Sequence, residues 1–404
     1  MAGQLRIRIR DNPSLLYLTL LLIIFGVSLW VRIYLPYPSI LGGEWVRFRG
    51  ADAWYHMRLV DNMLRHFPRR ISFDPYTFYP YGQEVPFAPL FDFIIAFVAW
   101  VIGLGNPGQR LAEVVGAYIP AVLGALTTIP VYVLGKELFG RKAGIISAAM
   151  LAVLPGEFLA RSLLGFTDHH SAESFLSTVT VMFLALALKT ARERGLSFTR
   201  LFGEGRGALK KPLLLSCLAG AALASYILAW TAGLLLVFIL FCHLVIQYTI
   251  AHLKGRPIDG LCLVSTLTFL IALLMIVPFP HRGFLTELHV PALAIALLAT
   301  LTLGGLSKAL AHRRVNRLCY PLALVGLGLL GLGGFHLFAP SLLHSMLDKF
   351  SVFRPQGAKL TIGEARPLLH PYGPISLSPV RWSALTASFL LALVALALIA
   401  YAVL

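Results

Sequence analysis

Long apolar segments separated by short basic segments make up most of this chain. About 20 consecutive apolar residues form a helix that crosses the hydrocarbon core of a bilayer. Runs of that kind fall at about 15–35, 112–135, 143–159, 171–188, 260–278, 289–306, 320–338 and 382–403. The longer run 213–250 predicts two helices that turn near 230–233. The pattern predicts an all-α polytopic membrane protein with about ten transmembrane helices, folded as one transmembrane domain over residues 1–404.

One apolar run, from Phe93 to Leu104, is too short to cross a membrane. Asp92 precedes it, and a Gly-Asn-Pro-Gly turn sequence follows it. We predict that this run forms an interfacial or re-entrant helix within a long first outer loop, residues 36–110. Asp52 and Asp168 then lie on the same side of the membrane, whereas a crossing helix would separate them.

Basic residues give the predicted orientation, because cytoplasmic segments of membrane proteins carry an excess of Lys and Arg. The basic segment 6–10 precedes the first span and predicts a cytoplasmic N-terminus. The basic segments between later spans then fall inside. The polar segments that contain Asp52, Asp168 and Glu364 fall outside, the last of them in a late outer loop, residues 339–380. This grouping of acids on one face predicts a site there.

The composition agrees with a membrane protein, since 58% of the residues are hydrophobic and only 13% are charged. The formal net charge of +16 does not indicate a nucleic-acid partner, because the basic residues lie in short segments between apolar runs. The four cysteines show neither a disulfide pattern nor zinc-site spacing. The first apolar run is too long for a signal-peptide core, so we expect it to remain as a span.

The polar segment Gly165–Glu173 carries one carboxylate and two imidazoles in consecutive positions, Asp168, His169 and His170. Ionisable residues this close to a bilayer often mark functional sites. In an extended loop, Asp168 and His170 point the same way and can bind one divalent cation. The alternative is that Thr167 or Asp168 only caps the helix that starts near residue 171.

Two other outer segments carry acids with comparable alternatives. Asp52 and His56 are four residues apart and share a face if their segment is helical, but on spacing alone a helix N-cap is favoured for Asp52. Glu364 alone is best interpreted as a solvated acid paired with Lys359 or Arg366. Together with the histidine and the basic residues, three acids on one face indicate a metal site that handles a phosphate-bearing lipid.

Three segments resemble successive motifs of one family: Gly50–His56, Asp168–His170 and Leu360–Glu364. The family is the catalytic subunit of oligosaccharyltransferase, in particular its bacterial and archaeal single-subunit members. The resemblance implies a GT-C glycosyltransferase-like fold in the plasma (inner) membrane, with the active site on the outer or periplasmic face. It also implies transfer of an oligosaccharide from a polyprenyl-diphosphate lipid carrier to asparagine in an Asn-x-Ser/Thr sequence of an acceptor protein, with inversion at the anomeric carbon.

The resemblance also implies roles for individual residues. Asp52, Asp168 and His170 correspond to metal ligands, with Mn²⁺ or Mg²⁺ as the expected ion, and Asp52 is also expected to act on the acceptor amide. His169 and Arg161 correspond to substrate-binding neighbours of that site.

Two residues of the late outer loop complete the expected site. Glu364 is expected to bind the metal or the acceptor asparagine, so it is both a catalytic and a substrate-binding candidate. Arg366 is a candidate for holding the diphosphate, with Arg381 as the alternative.

The sequence departs from the family in its C-terminal part. It has no Trp-Trp pair of the kind found in the family's soluble sequon-recognition domain, so we expect that domain to be absent. This departure leaves open a related membrane glycosyltransferase that uses a polyprenyl-phosphate sugar and a different acceptor. A transporter is disfavoured, because the acids fall in outer loops rather than near the midplane of the spans.

Overall fold

The computed structural model describes residues 13–202, 206–279 and 288–349, and these residues are predominantly helical. The predicted last span and the predicted late outer loop beyond residue 349 lie outside the described residues. The helices are α1 Pro13–Tyr34, α2 Tyr37–Leu41, α3 Ala51–Arg65, α4 Pro89–Ile102, α5 Gln109–Leu126, α6 Thr128–Phe139, α7 Arg141–Val153, α8 Glu157–Ala160, α9 His170–Glu193, α10 Phe198–Phe202, α11 Lys210–Ala229, α12 Leu234–Leu253, α13 Asp259–Ile276, α14 His289–His312, α15 Cys319–Phe338 and α16 Pro340–Lys349.

The chain divides into two compact units. The first contains residues 1–154 and 161–326, and the second contains residues 155–160 and 327–404. All residues of the candidate site described below belong to the first unit. Its four cysteines are free.

Eight candidate spans in the described part of the chain are long and apolar enough to cross a membrane. They are α1, the segment Gln109–Phe139 formed by α5 and α6, α9, α11, α12, α13, α14 and α15. The helical hairpin predicted within 213–250 is confirmed, because α11 and α12 are joined at residues 230–233. The fold class is therefore as predicted, while the predicted number of about ten spans is not reached in these residues.

The predicted span at 143–159 is shorter in the structure than expected. Helix α7 has 13 residues. Its length is therefore about 20 Å, against about 30 Å of hydrocarbon. The helix ends at Leu154, whose backbone is extended. Leu154 precedes Pro155, and a residue before proline disfavours the helical backbone conformation.

The helix predicted not to cross the membrane has the expected length. Helix α4 contains 14 residues and begins with Pro89, whose fixed φ suits a first helical turn. One face of α4, including Phe91, Ile95 and Ala99, is fully buried. This face packs against α3 and α5, and α4 is too short to be among the eight candidate spans.

The segment between α1 and α5, named the first outer segment for its predicted position, contains α2, α3, α4 and two short antiparallel strands, β1 Phe73–Asp74 and β2 Gln83–Glu84. The strands, which the sequence did not predict, flank residues 75–82. A buried apolar cluster joins this segment to α5. At its centre α3 lies so close to α5 that a Cβ atom at Gly116 would meet the Met57 sulfur at 2.3 Å. Glycine at this position therefore permits the contact between the two helices.

A second apolar cluster forms the interior of the long helices. Helix α9 packs along α11, α11 along α13, and α13 along α14. Gly220 of α11 allows close contact, since an added Cβ there would lie 2.5 Å from the backbone oxygen of Thr268. Small residues at such contacts are typical of membrane helices, which gain stability mainly from close packing.

A buried arginine in α1 anchors the segment that leads to Asp168. The side chain of Arg32 is completely buried and donates hydrogen bonds to Ser28 Oγ (2.6 Å), the Ala152 carbonyl oxygen (3.0 Å) and Ser162 Oγ (2.9 Å). The backbone oxygen of Arg32 also accepts a hydrogen bond from the Leu164 N–H (3.0 Å). Helix α1 thus contacts both α7 and residues 162–164, where the loop that leads to Asp168 begins.

Gly165 fixes the next part of that loop. Its N–H donates to the Ala117 carbonyl of α5 (2.9 Å), and its carbonyl accepts from the Arg49 N–H of the first outer segment (2.8 Å). The residue has φ +81°, and an added Cβ would lie 2.9 Å from the Ile40 side chain. Only glycine adopts this left-handed conformation without strain while leaving room for Ile40.

We predict that Gly165→Ala destabilises the fold by at least about 1–2 kcal/mol, which is the usual strain of a left-handed non-glycine residue. A lowered melting temperature of the purified chain in detergent would show the effect. Gly26→Ala is the matched control, because Gly26 lies within α1 and an added Cβ there meets no atom within 4 Å. Equal melting temperatures for the two variants would contradict the prediction.

Candidate functional site

Asp168 lies in a buried turn immediately before α9 and is only 4% exposed. Its Oδ1 accepts the His169 backbone N–H at 2.6 Å and lies 2.6 Å from Nδ1 of the same histidine. Helix α9 begins at His170, and its N-cap residue, His169, makes no side-chain capping bond. Thr167 instead donates its hydroxyl to the Gly116 carbonyl of α5 at 3.0 Å. The capping alternative is therefore wrong for both Thr167 and Asp168.

His170 faces the second oxygen of the same carboxylate. Its Nε2 lies 3.3 Å from Asp168 Oδ2 and 2.5 Å from Nη1 of Arg161. Because a guanidinium can only donate, Nε2 accepts in this contact and the ring proton belongs to Nδ1. Nδ1 lies 3.3 Å from Glu173 Oε2, which suits a proton directed at that carboxylate. The structure thus brings four of the predicted residues into one cluster and adds Glu173; the four are Arg161, Asp168, His169 and His170.

His56 approaches Asp168 from the first outer segment. Its ring is 1% exposed, and Nε2 lies 3.4 Å from Asp168 Oδ1. The opposite nitrogen, Nδ1, lies 2.5 Å from Oδ1 of Asp92, a completely buried carboxylate of α4. Arg70 donates from Nη2 to the other Asp92 oxygen at 2.8 Å. Asp92 is therefore held between the His56 imidazole of α3 and the Arg70 guanidinium, which lies after α3 in the chain.

These contacts shift the protonation equilibria of both groups. Burial, the largest single effect, lowers the pKa of His56, but the combined effects of the Asp92 and Asp168 carboxylates outweigh it and raise that pKa to about 9. Burial, the largest single effect, raises the pKa of the Asp168 carboxyl, but its contacts with the three surrounding histidines, His169 first among them, together prevail and hold the pKa well below its ordinary value. Asp168 is therefore ionised at neutral pH, as a metal-binding carboxylate must be.

Two groups of described residues have ligand atoms close enough to share one metal ion. In each group the atoms lie within 4.8 Å of one another, and the groups are His56, Asp168 and His169, and His169, His170 and Glu173. Mixed carboxylate and imidazole donors suit Mn²⁺ or Zn²⁺. The fit is supported by Asp168 Oδ2 and His170 Nε2, an oxygen and a nitrogen donor that lie 3.3 Å apart.

The remaining predicted residues are not part of this cluster in the described structure. Asp52 is exposed and lies in the first turn of α3, one turn before His56, outside both groups. The N-cap position of α3 is Gly50, so the capping alternative for Asp52 is wrong. Glu364 and Arg366 lie outside the described residues.

Sequence reasoning missed four members of this cluster: His56, Arg70, Asp92 and Glu173. A signal was present for Asp92, since a carboxylate in the first turn of a strongly apolar helix is costly without a partner. The i, i+4 relation of Asp52 and His56 was also visible, but it does not tell which of the two faces Asp168.

The fold and this cluster define a class: a polytopic helical membrane protein with a buried carboxylate–imidazole site beside an arginine. Residues 15–351 match the family described as oligosaccharyl transferase STT3, N-terminal. The chain belongs to this family.

Known relatives agree with that assignment. The chain is 34% identical over 352 residues to the dolichyl-monophosphooligosaccharide–protein glycotransferase AglB of Haloferax volcanii, covering 85% of this chain and 33% of the relative. The archaeal oligosaccharyltransferase AglB of Archaeoglobus fulgidus, solved with an inhibitory peptide and a dolichol-phosphate, is similar with a TM-score of 0.76 at 29% identity. That similarity covers 87% of this chain and 40% of the solved chain.

A third comparison concerns metal binding. An Archaeoglobus fulgidus oligosaccharyltransferase solved in complex with Zn and sulfate is similar with a TM-score of 0.68 at 29% identity, over 80% of this chain and 40% of the other. This chain therefore spans between about a third and two fifths of the length of these proteins.

We predict that Arg70→Met destabilises the first outer segment by about 3 kcal/mol, because it removes one partner of a buried ion pair. The control is Arg65→Met, since Arg65 pairs with Asp61 on the surface, with side chains 71% and 49% exposed. Its expected effect is below about 1 kcal/mol. Melting temperature and protease sensitivity of the first outer segment measure both variants, and a larger effect for Arg65→Met would contradict the prediction.

Proposed function

We propose that this chain carries the donor-side active site of an oligosaccharyltransferase for protein N-glycosylation. The reaction transfers an oligosaccharide from a polyprenyl-diphosphate or polyprenyl-phosphate carrier to the asparagine of an Asn-x-Ser/Thr acceptor. The observation that carries the proposal is the buried Asp168 carboxylate, whose two oxygens face His56 and His170, in a chain that belongs to this family. Lipid-linked donor, acceptor protein and membrane lipid are the expected partners.

The proposed metal ligands are Asp168 and His170, with Asp52 approaching from α3. The separation of 3.3 Å between Asp168 Oδ2 and His170 Nε2 supports this pair. Two ligands bound about 2.1 Å from one cation are about 3.0–3.4 Å apart in octahedral or tetrahedral geometry. We expect Mn²⁺ or Mg²⁺, and the zinc-bound Archaeoglobus fulgidus structure supports a divalent cation in the family. When bound, such an ion stabilises the negative charge that develops on the departing lipid phosphate.

Arg161 is proposed to bind the phosphate oxygens of the carrier. Its guanidinium lies beside His170, and a guanidinium binds phosphate through two parallel N–H donors. His169 lines the same site, because its ring contacts both Asp168 and the His170 ring, whose centroid is 4.6 Å away. These contacts would orient the bond between the sugar and the phosphate.

Asp52 and Glu364 are proposed to act on the acceptor. The side-chain nitrogen of asparagine is a poor nucleophile, because amide resonance withdraws its lone pair. A carboxylate accepting each N–H would favour rotation of the amide nitrogen out of conjugation, so that its lone pair can attack the anomeric carbon. The bond from that carbon to the lipid phosphate would break in the same step, and one carboxylate would take the N–H proton. The exposure of Asp52 supports this role, since the acceptor must reach it from solvent.

The carrier has two candidate chemistries. The name of the Haloferax volcanii relative specifies a monophosphate-linked oligosaccharide, and the Archaeoglobus fulgidus AglB was solved with dolichol-phosphate. The sequence motifs favoured a diphosphate. Arg366, predicted to hold a second phosphate, matters only for the diphosphate, so the two donors should be compared directly.

We also propose the orientation inferred from the charge pattern, with the N-terminus in the cytoplasm and the active site on the outer face of the plasma (inner) membrane. A related glycosyltransferase with a different acceptor is the second candidate function. A transporter is disfavoured by the positions of the acids, since Asp92 lies in a short helix and Asp168 in the turn before α9.

The test uses membranes that contain this chain, an Asn-x-Thr peptide, and oligosaccharide linked to polyprenyl monophosphate or diphosphate. We expect glycopeptide to form with Mn²⁺ and to be lost with a chelator. Asp168→Asn should reduce turnover at least about 100-fold without preventing membrane insertion, because it removes a charged metal ligand. Asp61→Asn is the control, since Asp61 forms a surface ion pair on α3.

The products separate the competing functions. Undiminished turnover in Asp168→Asn would reject Asp168 as a ligand. Release of free oligosaccharide without glycopeptide would indicate a competent donor site that needs further chain for acceptor recognition. Transfer to an acceptor other than asparagine would favour the second candidate function.

A further inference from the structure

The imidazole of His56 has a buried nitrogen that the proposed chemistry does not use. Nε2 has no hydrogen-bond partner among residues 13–202, 206–279 and 288–349, and the side chain is 1% exposed. Buried polar atoms normally have a partner. The atom lies 3.4 Å from Oδ1 of Asp168, just beyond hydrogen-bonding distance from the carboxylate proposed to bind the cation.

The ring of His56 is held in this orientation by three groups that contact it. Nδ1 lies 2.5 Å from the Asp92 carboxylate, which Arg70 holds from its other side. The Phe87 ring lies across the imidazole, with centroids 4.5 Å apart and planes 30° apart. The Phe91 ring meets it edge-on at 5.1 Å. The imidazole therefore cannot turn away from Asp168 without breaking the buried contact with Asp92.

We propose that His56 is a positioning residue for Asp168, an inference that rests on the metal site proposed above. Its Nδ1–H is donated to Asp92, and its Nε2–H is directed at Oδ1 of Asp168. Together with His169, which contacts the same oxygen, it holds Oδ1 and leaves Oδ2 facing His170. The cation then binds between Oδ2 and His170, and His56 acts on it only through Asp168.

This arrangement differs from direct ligation by His56 in a way that can be measured. Hydrogen-bond partners of metal-binding carboxylates fix their orientation, and losing one typically weakens metal affinity 10- to 100-fold. A direct ligand would in addition place its nitrogen on the metal. The two roles therefore differ in the number of imidazole nitrogens that couple to a bound Mn²⁺ ion.

Two variants of the same residue separate the two ring nitrogens. In His56→Gln the side-chain amide nitrogen reaches about as far as Nε2, so it keeps a donor near Asp168. In His56→Asn the amide reaches only about as far as Nδ1, so it keeps the contact with Asp92 and loses the donor toward Asp168. Asp92→Asn removes the charge that fixes the ring. His66→Gln is the control, since His66 is exposed at the end of the same helix.

The readout is the dissociation constant of Mn²⁺ for the purified full chain, together with pulsed electron paramagnetic resonance of the bound ion. We expect His56→Asn and Asp92→Asn to weaken binding about 10- to 100-fold. His56→Gln should stay within about threefold of the unsubstituted chain, and His66→Gln should not change it. The imidazole nitrogen coupling should be the same in His56→Gln and in the unsubstituted chain, and should be lost in His170→Gln.

Each outcome decides the matter. Equal affinities for His56→Gln and His56→Asn would overturn the inference, because a structural role does not distinguish the two ring nitrogens in this way. Loss of a nitrogen coupling in His56→Gln would overturn it in favour of direct ligation. If His56→Asn does not fold, unchanged affinity in Asp92→Asn would overturn it. Absence of Mn²⁺ binding in the unsubstituted chain would instead reject the proposed metal site, and the inference with it.

Discussion

The buried carboxylate of Asp92 is the contact on which the rest of the outer segment depends. A carboxylate removed from water is strongly destabilising unless oppositely charged or polarised groups surround it. Here His56 comes from α3, Arg70 from the segment after α3, and Asp92 from α4. Satisfying this one charge therefore fixes three parts of the chain relative to one another. It also explains how a segment with little regular structure between its helices can present a defined surface to Asp168.

A second anchor reaches Asp168 from the long helices. Arg32 of α1 binds α7 and Ser162, and Gly165 is hydrogen bonded to α5 on one side and to the first outer segment on the other. The loop before α9 is therefore attached to the spans through its backbone, while Asp168 contacts the outer segment through its side chain. The carboxylate lies where the two anchored parts meet, and this is why a short polar turn can hold charged groups in fixed positions.

Segment length and local spacing predicted much of this arrangement. The hairpin of α11 and α12 and the short helix α4 followed from counting apolar residues. The proximity of Asp168 and His170 was expected for an extended loop, and the structure instead brings them together in a turn before α9. The early end of α7 did not follow, because the apolar run continues while the backbone before Pro155 leaves the helix. The contact between His56 and Asp92 joins residues 36 positions apart, and periodicity gives no information about such pairs. The N-cap assignment of Asp52 failed for a smaller reason, since Gly50 occupies that position.

The orientation of the Asp168 carboxylate depends on residues outside the sequence motif. A motif such as Asp168–His170 indicates which groups bind a ligand. It does not fix the orientation of an ionised carboxylate in a buried turn, which depends on the neighbouring groups that contact each oxygen. In this chain Oδ1 faces His56 and His169, and Oδ2 faces His170. This division of the two oxygens depends on His56, and His56 depends on a charge in a helix that hydropathy alone treats as apolar. The polar residue inside α4 is therefore part of the site, although it contacts neither the proposed cation nor the proposed substrate.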